Sequence, residues 1–145
     1  MIRRLAVLLV AGLLLSACGT ESSVAAMRTW VTQSSFRSNL SALNTDIHHS
    51  ASALGHPSTS SASLHTVCAV LFLELDEAGA SLPTPDSQAT SLLSKAYINL
   101  QTGANECYDA AASPTARTRA LASLAKGFAV LSEATVRIDV ASAST

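Results

Sequence analysis

The chain has little charge, little glycine or proline, and no long apolar run. Charged residues are 13% of its 145 positions and nearly balance, at a formal net charge of −1. Nucleic-acid binding needs a concentrated basic face, which nine scattered Lys and Arg do not supply. No polybasic cluster is present to hold an anionic lipid surface. Six glycines, four prolines and the lack of any Asn-Gly or Asp-Gly pair remove the usual hairpin signals. No sustained alternation of apolar and polar residues marks a strand. The apolar stretch 5–15 falls well short of the ~20 residues that a membrane-spanning helix requires. Signatures of chemistry are missing too: no Gly-rich phosphate loop, nucleophile elbow, Cys-x-x-Cys, HExxH or His-x3-His occurs. These absences leave a non-enzymatic protein without a cofactor as the expectation.

What the chain does have is Ala and Leu in long segments of helical period, which predict an all-α fold of four helices. The first spans residues 23–54, with Phe36, Leu40, Leu43, Ile47, Ala51 and Leu54 stepping by threes and fours along one face. Met27, Trp30 and Val31 fit that face less well, and Gln33-Ser34-Ser35 marks a kink or a frayed start. Gly55 suits a C-terminal cap with positive φ, and Pro57 stops continuation. The Ser/Thr-rich residues 50–63 form the best connector. A second helix, 61–80, carries Leu64, Cys68, Leu71, Leu75 and Ala78 inward.

In "LPTPD", Thr84 can cap and Pro85 can open a third helix over 85–112, with Asp86 favoured in its first turn by the helix dipole. Its inward positions are Ala89, Leu92, Leu93, Ala96, Leu100 and Cys107, with Tyr97 and Ala104 alongside. Ser113 and Pro114 repeat the cue for a fourth helix with a seam of Leu121, Leu124, Phe128, Leu131, Thr135 and Ile138. Glu133 and Arg137 stand four apart, in the order that pairs well on one helix. Short connections predict an antiparallel up-down bundle over 24–140, with 141–145 a frayed tail.

The N-terminus reads as a targeting segment: Arg3 and Arg4, then the apolar stretch, then the small residues Ser16 and Ala17. Leu15-Ser16-Ala17-Cys18 resembles the lipobox of bacterial lipoproteins. That resemblance, confined to residues 1–19, implies that 1–17 is a removed signal peptide and that Cys18 carries diacylglycerol and a further acyl chain such as palmitate. Residues 18–23 are then a lipidated N-terminus and short tether. Several acyl chains anchor well, since each buried CH2 adds ~0.8 kcal/mol. The implied protein is extracytoplasmic and held to the cell membrane by lipid, its partners being membrane lipid and an unidentified envelope protein or ligand. Losing Arg3 and Arg4 leaves seven basic residues against ten acidic ones, a net charge of −3.

Acylation of Cys18 would leave Cys68 and Cys107 as a pair for a disulfide in an oxidising compartment. One point opposes it. Counted from the turn near Pro83, the two cysteines are staggered by roughly 13 Å in straight helices, too far for a bond. A kink at Gly103, an early end to the third helix or a tilted crossing would close the gap. The run from Cys68 through "LPTPD" to Cys107 and the last helix, residues 64–138, also resembles a group of small actinobacterial secreted or lipoprotein-type helical proteins. That resemblance implies no activity.

Among polar groups, His48, His49, His56 and His65 fall within eighteen residues, with Asp46 nearby, and carry the alternative of a metal-binding lipoprotein. Against it, His48 and His49 are adjacent and point 100° apart on a helix. The expectation is therefore no metal site. Cys68 and His65 could be read as nucleophile and base, but Cys68 lies on the core stripe, where a thiol is inert. Glu74, Asp76 and Glu77 read as a solvated helix face, as do Glu106 and Asp109. Trp30 and Tyr97 read as packing residues.

Overall fold

The computed structural model describes residues 22–110 and 113–143, so residues 1–17 and Cys18 lie outside it, as do Ala111, Ala112 and residues 144–145. The described residues form five helices and no strand: α1 Ser23–Gln33, α2 Phe36–Gly55, α3 Ser61–Gly79, α4 Ser87–Asp109 and α5 Pro114–Ser142. The all-α expectation holds, and the helix count rises by one because the expected first helix divides. At the break Ser35 takes a left-handed φ of 51°. Ser34 Oγ donates to the Trp30 carbonyl at 2.7 Å and Asn39 Nδ2 to the Ser34 carbonyl at 3.1 Å. These polar side chains give the backbone an alternative to the helical ladder.

The break re-aims α1, which explains why its apolar residues fitted the α2 stripe poorly. Met27 is fully buried, and Trp30 Nε1 donates to the Ser81 carbonyl at 3.0 Å, beyond the end of α3. Arg28 Nε donates to the carbonyl of Ser142 at the end of α5, at 2.9 Å. Two residues apart on α1, these bonds lay it between the C-terminal ends of α3 and α5. α5 is helical through Ser142, and the last residues of the expected tail, 144–145, lie outside the described residues.

α2 packs on α3 and α5, α3 on α4, and α4 most extensively on α5. Most positions of the expected inward stripes are buried, including Leu43, Ile47, Leu64, Leu71, Leu75, Leu93, Leu100, Leu124, Leu131 and Ile138, while Leu40, Ala51 and Leu92 are half-buried. On α5 the buried seam sits beside the expected one. Ala120, Gly127 and Ala134 are inside, while Leu121, Phe128 and Thr135 are only half-buried. The reason is close approach. An added Cβ at Gly127 would lie 2.9 Å from the Leu100 backbone nitrogen, and one at Gly103 would lie 2.9 Å from that of Leu124. Each glycine thus admits the opposing leucine's backbone, and small residues mark the seam where large ones were expected.

Cys68 and Cys107 are fully buried at disulfide distance, with Cα atoms 5.8 Å apart. The stagger is taken up outside the helices. The chain leaves α3 at Gly79 and enters α4 only at Ser87. An open chain spans up to ~3.3–3.6 Å per residue, so the connecting segment covers the offset. No kink at Gly103 is needed, and α4 runs through it.

Several local expectations shift. Asp86, not Thr84, caps α4, its Oδ1 accepting from the Ala89 N–H at 2.7 Å, and Pro85 stays outside the helix. Thr84 is buried and turns the chain, its N–H donating to Thr90 Oγ1 at 2.9 Å. Gly55 ends α2, but no described glycine has positive φ; His56 turns the chain with extended backbone. The expected Ser113 cap and Pro114 start are present, with Ser113 Oγ accepting from the Ala116 N–H.

Candidate functional site

At the pole opposite α1, the α2–α3 connector meets the first turns of α5 around an open cavity of about 460 Å³. Its position follows from two local stops. α2 ends at Gly55 before Pro57, and α3 starts only at Ser61, capped by Ser60 Oγ accepting from the Ser63 N–H at 3.1 Å. The intervening chain is held to α5 by Arg117, which donates to the carbonyls of His56 at 2.8 Å and Thr59 at 2.9 Å. Leu54 and Leu121 give the cavity apolar wall, while Ser61 and Thr118 add hydroxyls. Among the described residues, Arg117 is the one charged residue lining it.

Sequence reasoning missed Arg117. A faint signal existed: a cation three residues after Pro114 faces the positive end of the helix dipole, an unfavourable place unless something else holds it. The connector carbonyls of His56 and Thr59 are among the groups that hold it.

The four histidines at this side of the molecule are not brought together. His48 meets the Phe128 ring edge-on with centroids 5.6 Å apart, and His65 stacks on Tyr108 at 4.3 Å. His49 Nδ1 lies 4.0 Å from the Asp46 carboxylate. His56 sits in the connector with its carbonyl given to Arg117. Among the described residues no three of His, Cys, Asp and Glu converge as a metal site. The helical separation of neighbours is the cause, since residues 48 and 49 take different partners. The chain matches no family model, no curated protein and no solved structure. The site therefore stands on its own geometry.

Several other titratable groups bridge helices or lie in the core. Arg137 binds Asp86 with two bonds, Nε to Oδ1 at 3.1 Å and a terminal nitrogen to Oδ2 at 2.5 Å. It reaches across to α4 and does not pair with Glu133 on its own helix. The Arg137 hydrogen bond, aided by the Ala89 N–H, holds the Asp86 carboxyl below its ordinary range. Glu106 accepts from Ser123 Oγ at 2.6 Å and stands 3.4 Å from Arg119. Arg37 pairs with Asp139 between α2 and α5. Burial pushes the Tyr97 hydroxyl up to about 12. Trp30 joins the α1 packing already described. Glu74, Asp76, Glu77 and Asp109 stay at least partly open to solvent.

Proposed function

We propose that this chain is a lipid-anchored extracytoplasmic protein with a non-enzymatic binding or scaffolding role at the cell envelope. One observation carries the reading: Cys68 and Cys107 stand together at disulfide distance, so Cys18, behind its lipobox-like residues, is the cysteine left over. A free odd thiol is awkward in an oxidising compartment, and acylation gives it a use. The cavity, lined among the described residues by one charged side chain, supports binding over catalysis, because acid–base work needs a positioned proton donor or acceptor of suitable pKa.

In this reading α2–α5 are an up-down bundle and α1 closes the pole nearest the anchor. Cys18 lies only four residues before Ser22, so the tether reaches at most ~14 Å. The α1 pole then faces the membrane and the cavity faces away from it.

The test is labelling of cells with an alkynyl fatty acid, followed by capture and mass analysis of the chain. Wild type should carry acyl mass on a chain beginning at Cys18. Cys18→Ala should lose the label and leave the membrane fraction. Unlabelled wild type, or label retained by Cys18→Ala, would overturn the anchor.

A further inference from the structure

α3 is apolar on both its covered and its open side. No Asp, Glu, Lys or Arg occurs from Ser61 to Leu73, and the buried seam of Leu64, Cys68, Leu71 and Leu75 uses only one side of the helix. On the outward side Leu73 is 68% exposed and Val70 42%, with Phe72 37% exposed beside them. A helix that is hydrophobic all round belongs inside a protein or a membrane. No described helix is long and apolar enough to cross a membrane, so α3 is not a span. Glu74, Asp76 and Glu77 follow this face in the last turns of α3, where the helix dipole disfavours negative charge. Among the described residues none of the three takes part in an ion pair. The face is therefore an uncharged stripe that ends in carboxylates without a cation.

We infer that the outer face of α3 docks a helix of another envelope protein, one with an apolar stripe and with Lys or Arg at the end that meets Asp76 and Glu77. The inference deepens the scaffolding role proposed above and rests on its anchor for orientation. A second copy of the chain fits poorly. α3 runs from the cavity pole to the α1 pole, which in that reading is along the membrane normal. Two copies anchored in one membrane share a two-fold axis along that normal, so their α3 helices lie parallel and like carboxylates meet. A lipid surface fits poorly too, because the face stands upright to the bilayer and offers no cation to anionic headgroups. A helix of another protein meets both halves of the face. Its apolar side chains cover Val70, Phe72 and Leu73, and its cations face the carboxylates.

The test places a benzophenone photocrosslinker at position 73 of the full chain in its native envelope. Position 136 on α5, where Val136 is 63% exposed, is the control. The trapped segment is mapped by mass spectrometry. The probe at 73 should trap one segment of another protein, with apolar residues at helical period and Lys or Arg within about two turns of the linked residue. Asp76 and Glu77 are exposed, and the dipole favours cations at this end of a helix, so Asp76→Lys with Glu77→Lys should leave melting unchanged. The same pair of substitutions should lower the cross-link yield about fivefold, the effect of losing two solvent-exposed ion pairs.

Four results would overturn the inference: position 73 traps no more than position 136, the trapped species is lipid or a second copy of this chain, the trapped segment carries no cation, or charge reversal leaves the yield unchanged. The anchor can fail separately. Wild type without acyl mass on Cys18 sinks the anchor whatever position 73 traps, whereas failure at α3 leaves that acyl mass in place.

Discussion

Adding one methyl group at Gly127 should destabilise the protein, even though alanine is the better helix former. The new Cβ would lie 2.6 Å from Leu100 Cγ, 2.8 Å from its Cδ2 and 2.9 Å from its backbone nitrogen. The leucine side chain can change rotamer, but the nitrogen belongs to the α4 backbone. Ordinary contact begins near 3.4 Å, so α4 and α5 must part by about 0.5 Å along a close-packed seam. Overpacking of this kind costs ~1–3 kcal/mol, and involvement of backbone puts it at the upper end. Alanine returns ~0.8–1.0 kcal/mol of helix propensity. The net loss is about 1–2 kcal/mol, a fall in Tm of about 4–8 °C for a domain of this size. Gly79→Ala is the control, since nothing lies within 4 Å of its added Cβ. It should hold or gain up to ~1 kcal/mol. The assay is thermal unfolding of the oxidised full chain followed by circular dichroism. If Gly127→Ala melts as high as Gly79→Ala, the close approach of α4 and α5 is wrong. Gly103→Ala acts on the same seam, so the double variant should lose less than the sum.

Two other outcomes test separate parts of the fold. Asp86 has a lowered pKa in the folded chain, chiefly through Arg137, so its contribution is present above the unfolded value of 3.8 and is lost as pH falls through the folded one. Urea midpoints measured from pH 6 down to pH 2 should therefore show a fall that Asp86→Asn and Arg137→Met both flatten, modestly because the pair is open to solvent; an unchanged slope in both variants would remove the pair from the account. For the cysteines, the Cys18→Ala chain, unfolded without reductant, should show no free thiol, and two after reduction. Reduction should cost about 4 kcal/mol of stability by the chain-entropy estimate for this loop, and two thiols before reduction would refute the bridge.

The sequence by itself determined the helices, because their period is a local property. Phe36 to Leu54 and Leu64 to Ala78 repeat at threes and fours, and Ser113-Pro114 carries its own start signal; each was legible from neighbours alone. Cysteine parity went further: the expectation that Cys18 is acylated left Cys68 and Cys107 as the pair, and the structure brings those two to disulfide distance. Where partners come from distant segments, local reasoning ran out. Thr84 looked like a cap until Thr90 and Asp86 competed for the turn, and Arg137 belonged to Glu133 until α4 brought Asp86 across. Gly103 and Gly127 carry no side chain to signal a buried face, so only the packed pair of helices shows that they face each other's leucines. The Ser34–Ser35 break was visible as a weakness, but where α1 went depended on the ends of α3 and α5. Arg117 is the sharpest case: its place at a helix start is locally unfavourable, and the carbonyls that hold it belong to a connector some sixty residues earlier. Periodicity and caps are set within a few residues of chain, whereas a cavity and the charge fixed in its wall exist only after the chain has closed on itself.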